Sequence, residues 1–182
     1  MKPRLSKSLA KKLARVKALL CDVDGVLTDG TVLIGGPEEQ KRFHIQDGLG
    51  IVLARRVGIK VGCISRRPSS ATEKRARELK FDFVHQSKTG KVAAVEEILR
   101  TTGVTWDEVC YVGDDVVDLA VMQRAGVAVA VANAIDDVKA RSDYVTTLRG
   151  GEGAVREVIE LLLRAQGKWE GITQGYLSGQ YE

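Results

Sequence analysis

The chain has 182 residues, enough for one sizeable core and too few for two comfortable domains. With 44% hydrophobic and 29% charged residues it has ordinary globular composition, no apolar run long enough to span a bilayer, and first residues too polar for a secretory signal. Its net charge of +4 is uneven: residues 1–17 hold seven Lys or Arg and no acid, while the remainder carries 21 basic against 24 acidic side chains, so bulk basicity is a weak argument for a nucleic-acid or membrane partner.

A basic N-terminal arm over 1–15 precedes Val16–Val23, which reads as a buried strand. Gly30–Ile45 then breaks the rhythm, with an alternating Thr31-Val32-Leu33-Ile34, a turn over 35–39 and a second arm from Lys41 to Ile45. That pattern predicts an inserted β-hairpin. Helical period over Leu49–Val57 leads to a strand at Lys60–Ile64, a helix at Ser70–Leu79 and a strand at Phe81–Val84. A helix at Lys91–Arg100, a strand at Val109–Val112 and a helix at Val116–Ala125 follow. Next come a strand at Val127–Val131, a helix at Ile135–Arg141, a short strand at Tyr144–Val145 and a helix at Ala154–Gln166. Such alternation predicts an α/β fold over 16–166, a parallel sheet with helices on both faces. From 167 to 182 the pattern changes. Gly167, Gly171, Gly175 and Gly179 recur every fourth residue around Trp169, Tyr176 and Tyr181, a composition expected not to hold a stable helix and to leave either a frayed terminus or a docking tail. Cys21, Cys63 and Cys110 each sit in a short apolar run and read as buried strand residues of a reduced, cytoplasmic protein. His44 and His85 have no partner in sequence for a metal site or triad.

The chemistry gathers where strands end. The first strand delivers Asp22 and Asp24, two residues apart, into the Gly-containing turn that begins at Gly25. Alternate side chains at a strand end point the same way, so both carboxylates can face the crevice where open α/β sheets bind ligands. Like charges so close are costly unless a cation binds or one group keeps its proton. After the fourth strand comes a second cluster, Asp114, Asp115 and Asp118. Strand ends share one edge in a parallel sheet, so the clusters can converge on a hard cation such as Mg²⁺. The plainer alternatives are a helix N-cap for Asp114, less favoured, and a solvated helix face for Asp118, equally weighted. Ser65 follows the second strand, and Lys91 opens a helix after Gly90. A hydroxyl beside a helix N-terminus and a lysine suits a phosphate.

In this order the four segments resemble the motifs of the haloacid dehalogenase-like phosphatases. Asp22 to Gly30, the hairpin, Phe43 to Gly50 and Arg149 to Glu157 are similar, more narrowly, to the 3-deoxy-D-manno-octulosonate 8-phosphate phosphatase family. The resemblance covers about 14–168. It implies a capless Rossmann-like core assembled as a homotetramer whose hairpins help cover neighbouring active sites. It further implies that Asp22 is nucleophile and Mg²⁺ ligand, and that Asp24 is general acid/base and lends its backbone carbonyl to the metal. Asp114 would be the remaining Mg²⁺ ligand, supported by Asp115 and Asp118, and Ser65 and Lys91 would hold the phosphoryl oxygens. Arg67 would receive the carboxylate of a phosphorylated sugar acid, which favours the eight-carbon acid over nine-carbon sialic-type 9-phosphates. Asp47 and Gly48 match a loop near the crevice, or equally a helix N-cap. The tail around Tyr176 matches segments that reach a neighbouring site. Two positions depart from the pattern: Ser65-Arg66-Arg67 stands where Thr-Gly-Arg is usual, and Gly90 where Asp is typical. A non-catalytic module binding nucleic acid through the basic arm is the competing class, but the arm lacks an aromatic or Gly-rich readout element. A soluble enzyme with no nucleic-acid or membrane partner is therefore expected.

Overall fold

The computed structural model describes residues 5–35, 39–88 and 90–181, and its spine is one six-stranded parallel sheet. The strands are β1 (Ala18–Cys21), β2 (Lys60–Ser65), β3 (Phe83–Gln86), β4 (Val109–Gly113), β5 (Val127–Ala130) and β6 (Tyr144–Val145). They lie in the order β3-β2-β1-β4-β5-β6. The chain thus winds outward from β1 to β3, then returns to start again on the far side, and the order reverses between β1 and β4. Every residue of β1, β4 and β5 is buried, as a sheet covered on both faces requires, and their sequences are near-continuous apolar runs for that reason. β3 starts two residues later than its apolar run, because the Asp82 carboxylate takes the Val61 N–H at 2.9 Å.

Eight helices cover the sheet among the described residues: α1 (Lys7–Ala14), α2 (Ile45–Arg56), α3 (Ser70–Glu78), α4 (Lys91–Thr102), α5 (Leu119–Met122), α6 (Asp136–Lys139), α7 (Ala154–Ala165) and α8 (Trp169–Leu177). α7 carries the widest apolar face, burying Val155, Val158, Ile159, Leu161, Leu162 and Leu163, and packs against α1, α2 and α8. α4 and α5 pack on each other in a separate layer. The helix expected over Val116–Ala125 is broken into a 3₁₀ turn, Val116–Asp118, and the short α5, because Asp115 caps the turn and Asp118 is occupied by the backbone N–H groups before it.

Within its described part the basic N-terminal segment is α1, capped by Ser6 and anchored by Leu9 and Leu13 in the core. Lys7, Lys11 and Lys12 line its exposed face, and Lys12 pairs with Asp143 at 2.6 Å. Lys2 and Arg4 lie outside the described residues. The segment Gly30–Ile45 does fold back antiparallel, through the bridges Thr28–Phe43 and Leu33–Gln40, although no continuous ladder forms. Leu33 and Ile34 are 65% and 87% exposed, so these two residues of the first arm add no buried apolar contact to extend the pairing, whereas Phe43 of the second arm packs on the core. Gly36, Pro37 and Glu38 of its turn lie outside the described residues.

The tail corrects the sequence expectation. Residues Trp169–Leu177 are helical despite Gly171 and Gly175, because packing supplies what propensity lacks. Ile172 is buried in the core, and Arg156 and Arg164 stack on Trp169 at 5.2 and 4.9 Å. At Gly175 a Cβ would stand 2.1 Å from the Tyr181 ring, so the glycine is the notch into which the last aromatic folds. No helix among the described residues is long and apolar enough to cross a membrane. Ile172→Ala should lower stability by about 2–4 kcal/mol in a denaturant titration; an unchanged midpoint would mean that the tail is frayed after all.

Candidate active site

The switch between β1 and β4 opens a crevice of about 390 Å³ lined by Asp22, Asp24, Ser65, Arg66, Arg67, Lys88, Lys91 and Val117. Five of these, Asp22, Asp24, Ser65, Arg67 and Lys91, are expected site residues, brought together from the ends of β1 and β2 and the start of α4. Asp22 directly continues β1, donating its N–H to the Val112 carbonyl at 3.0 Å. One carboxylate oxygen accepts the Val23 N–H at 2.7 Å, and the other lies 2.8 Å from the Lys91 ammonium. Lys91, the first residue of α4, is only 4% exposed and also reaches Asp118 at 2.7 Å. Ser65 closes β2, buried, its hydroxyl accepting the Arg67 N–H at 3.0 Å.

Asp118 is fully buried, which excludes the solvated helix face. Oδ1 accepts from Lys91 and from the Tyr111 hydroxyl, each at 2.7 Å, while Oδ2 accepts the backbone N–H of Asp114 at 3.0 Å and of Asp115 at 3.4 Å. With four donors placed, Asp118 is a positioning residue for Lys91 and for the loop after β4. Asp115, exposed, caps the 3₁₀ turn; the capping role once open for Asp114 belongs to Asp115 instead.

Asp22, Asp114 and Asp118 each present an oxygen within 4.8 Å of the others. Burial, and then the charge of Asp118, push the Asp22 carboxyl up to about 6 against the opposing pull of Lys91. Burial, followed by the charges of Asp22, Asp118 and Asp115, pushes Asp114 up to about 7. Burial alone would depress Lys91, but Asp22 and Asp118 outweigh it and hold the ammonium above its ordinary range. One ammonium does not balance this many acids. With Asp118 committed elsewhere, Asp22 and Asp114 are the carboxylates that fit a hard divalent cation.

The loop after β1 is held from several sides. Gly25 has φ +88°, and a Cβ there would stand 2.1 Å from the Asp114 carboxylate, so only glycine lets the two acidic loops meet. The Val23 carbonyl accepts from Val26, Leu27 and Thr28, closing a tight turn. Asn133, just beyond β5, donates to the Gly25 carbonyl at 3.0 Å and accepts the Gly150 N–H at 2.6 Å. Gly151 bonds the Val26 carbonyl at 3.0 Å.

Asp24 points to the crevice mouth, where its Oδ1 lies 2.7 Å from Lys41. Lys41 comes from the second arm of the hairpin and its side chain is entirely buried. Beside it, Glu39 pairs with Arg67, and that hydrogen bond holds the Glu39 carboxyl below its usual range. Asp47 and Gly48 do not line this crevice. Asp47, buried, accepts the Arg156 N–H at 2.7 Å and so caps α7 rather than its own helix, while Gly48 makes room for Arg75. Both border a separate cavity with Leu27, Phe43 and Thr72. Lys41, Glu39, Tyr111 and Asn133 escaped sequence reasoning. Only Asn133 follows a strand as the recognised residues do, and could have been found by that rule.

Comparison with known proteins agrees with this geometry. A family model described as haloacid dehalogenase-like hydrolase matches residues 74–159. The 3-deoxy-D-manno-octulosonate 8-phosphate phosphatase of Yersinia pestis is 40% identical over 164 residues, 90% of this chain and 88% of that protein. The crystal structure of the Moraxella catarrhalis enzyme of the same name, in complex with magnesium ion, phosphate ion and KDO, has a TM-score of 0.90 at 35% identity, covering 92% of this chain and 97% of that one. A cobalt-bound deoxy-D-mannose-octulosonate 8-phosphate phosphatase from Haemophilus influenzae has a TM-score of 0.87 at 38% identity, covering 91% and 99%.

The raised carboxyls give a pH test. Asp22 and Asp114 bind protons more tightly folded than unfolded, so their contribution to stability is full below about pH 4 and is lost as pH rises through about 6 and 7. Mg²⁺ should therefore raise Tm clearly at about pH 8 and little at about pH 5.5. Equal shifts at both values would disconnect the cation from these acids.

Proposed function

The chain belongs to the 3-deoxy-D-manno-octulosonate 8-phosphate phosphatase family of haloacid dehalogenase-like hydrolases, and from that membership we propose that it hydrolyses 3-deoxy-D-manno-octulosonate 8-phosphate to the free sugar acid and phosphate. It is a phosphoric monoester hydrolase. The observation that supports this mechanism is the setting of Asp22: one oxygen is fixed by the Val23 N–H, and it stands beside buried Lys91 in a crevice that also contains Ser65 and Asp24.

In this reading the phosphoryl group enters between the Ser65 hydroxyl and the Lys91 ammonium, which bind its oxygens. Asp22 attacks phosphorus in line, forming an aspartyl phosphate as the bond to the sugar oxygen breaks. Asp24 gives that oxygen a proton, then takes one from the water that attacks the intermediate and releases Asp22 with inorganic phosphate. Mg²⁺, held by Asp22, Asp114 and the Asp24 backbone carbonyl, would neutralise phosphoryl charge so that an anionic nucleophile can meet an anionic ester. Asp118 and Tyr111 keep Lys91 in place throughout, and Asn133 keeps the loop after β1 from shifting.

Arg67 at the mouth is the group suited to the sugar-acid carboxylate, and favours the eight-carbon acid over nine-carbon 9-phosphates. We also infer a cytoplasmic homotetramer. The strongly exposed Leu33 and Ile34 on the hairpin are apolar surface that a neighbouring copy would cover. A sizing experiment that returns a monomer would remove the assembly.

Asp22→Asn should lower kcat by roughly 10⁴-fold or more while leaving Tm and circular dichroism near wild type. Wild-type phosphate release by that variant would end the nucleophile assignment. Chelation of divalent metal should abolish turnover, and added Mg²⁺ should restore it. Across phosphorylated sugar acids, kcat/KM should be highest for the octulosonate 8-phosphate; a nine-carbon 9-phosphate that matches it would displace the substrate.

A further inference from the structure

Arg67 is already engaged by the protein itself. Its Nε donates to Glu39 Oε2 at 2.9 Å, and Nη2 reaches the same oxygen. The other Glu39 oxygen lies 3.5 Å from Lys41, which in turn pairs with Asp24 at 2.7 Å. A row of alternating charge, Asp24, Lys41, Glu39, Arg67, therefore runs from the catalytic loop through the hairpin to the residue that faces substrate. Glu39 offers Arg67 an ionised carboxylate, the very group a sugar acid would bring. The pair is also open to exchange. Arg67 is 51% exposed and Glu39 20%, and ion pairs in contact with water are held weakly.

We propose that Glu39 is an internal stand-in for the substrate carboxylate, holding Arg67 in the free enzyme and yielding it only to an acidic ligand. The proposal rests on the reading that the substrate is a phosphorylated sugar acid. Exchange leaves no charge stranded, because the released Glu39 still has Lys41 beside it while the arriving carboxylate takes Arg67. A neutral sugar phosphate has nothing to exchange and meets an arginine that is already neutralised. Glu39 thus competes with the substrate carboxylate for Arg67: it lowers the affinity of a sugar acid, leaves a ligand without a carboxylate untouched, and keeps the arginine neutralised in the free enzyme.

A simple orienting role for Glu39 makes the opposite prediction, since an arginine deprived of its support should bind substrate less well. The test uses the Mg²⁺-loaded enzyme, with calorimetric titration of the phosphate-free octulosonate and, separately, of inorganic phosphate. In Glu39→Gln the sugar acid should bind roughly three- to tenfold more tightly, a range set by the modest strength of an exposed pair. Inorganic phosphate should change less than about twofold on the same reasoning. The gain for the sugar acid should vanish when Glu39→Gln is made in an Arg67→Ala background, and Glu39→Ala should act in the same direction as Glu39→Gln. Unchanged or weaker sugar-acid binding in Glu39→Gln would overturn the proposal, and so would equal tightening for both ligands, which is only a field effect. A wild-type enzyme with no kcat/KM preference for the acidic over a neutral sugar phosphate would remove the substrate reading and the proposal together. A clear wild-type preference with unaltered binding in Glu39→Gln would remove the proposal alone.

Discussion

One buried ammonium organises this site. Lys91 lies between Asp22 and Asp118, and none of the three has water enough to be stable alone. Removing Lys91 would strand two carboxylates in the interior, and removing either acid would weaken the hold on the lysine. The arrangement depends on sheet order. β1 and β4 are neighbours, so the acids that follow them meet, and the connection from β3 to β4 brings the first turn of α4 to the same edge. Tyr111 completes the set from inside β4, its ring in the core and its hydroxyl on Asp118. Excess negative charge remains even so. That imbalance is chemically useful, because it favours a cation beside Asp22, the proposed nucleophile.

Around this centre the backbone is packed to contact. A Cβ on Gly25 would strike Asp114, one on Gly113 would stand 2.6 Å from Asp118, and one on Gly150 would stand 1.7 Å from the Gly25 carbonyl. The acidic loops approach one another with no side chain between them, and the loop from Gly150 lies directly against the first of them. Asn133 fastens both with one amide, donating to Gly25 and accepting from Gly150. Fixing the reacting groups before substrate arrives is how such a site gains rate, since little reorganisation remains for the reaction step.

Much of this was legible in the sequence, for a physical reason. Buried parallel strands must be apolar along their length, so an acid or hydroxyl at the end of one is conspicuous, and Asp22, Asp24, Ser65 and Asp114 were found that way. Lys91 gained meaning only from its place in that order. Lys41 and Glu39 gave no such signal, because a lysine and a glutamate in a polar hairpin look like any solvated turn. Their burial and pairing come from how the hairpin lies on the mouth of the crevice, a tertiary fact. Asp47, open in sequence between a crevice loop and a helix cap, gave no signal of which helix it caps for a related reason: its partner lies 109 residues further along the chain. The tail was misread because helix propensity is a local quantity, whereas Ile172, Trp169 and the notch at Gly175 obtain their stability from α7 and from Tyr181.

The cap that Asp47 places on α7 has a mechanical consequence. Asp47 sits in the first turn of α2, three residues beyond His44, where the hairpin ends. Its carboxylate grips the first turn of α7, and the residues just before α7 are the glycine pair pressed on the loop of Asp22 and Asp24. The base of the hairpin is therefore bolted to the same piece that braces the loop of Asp22 and Asp24, so the mouth of the crevice and its floor share one support.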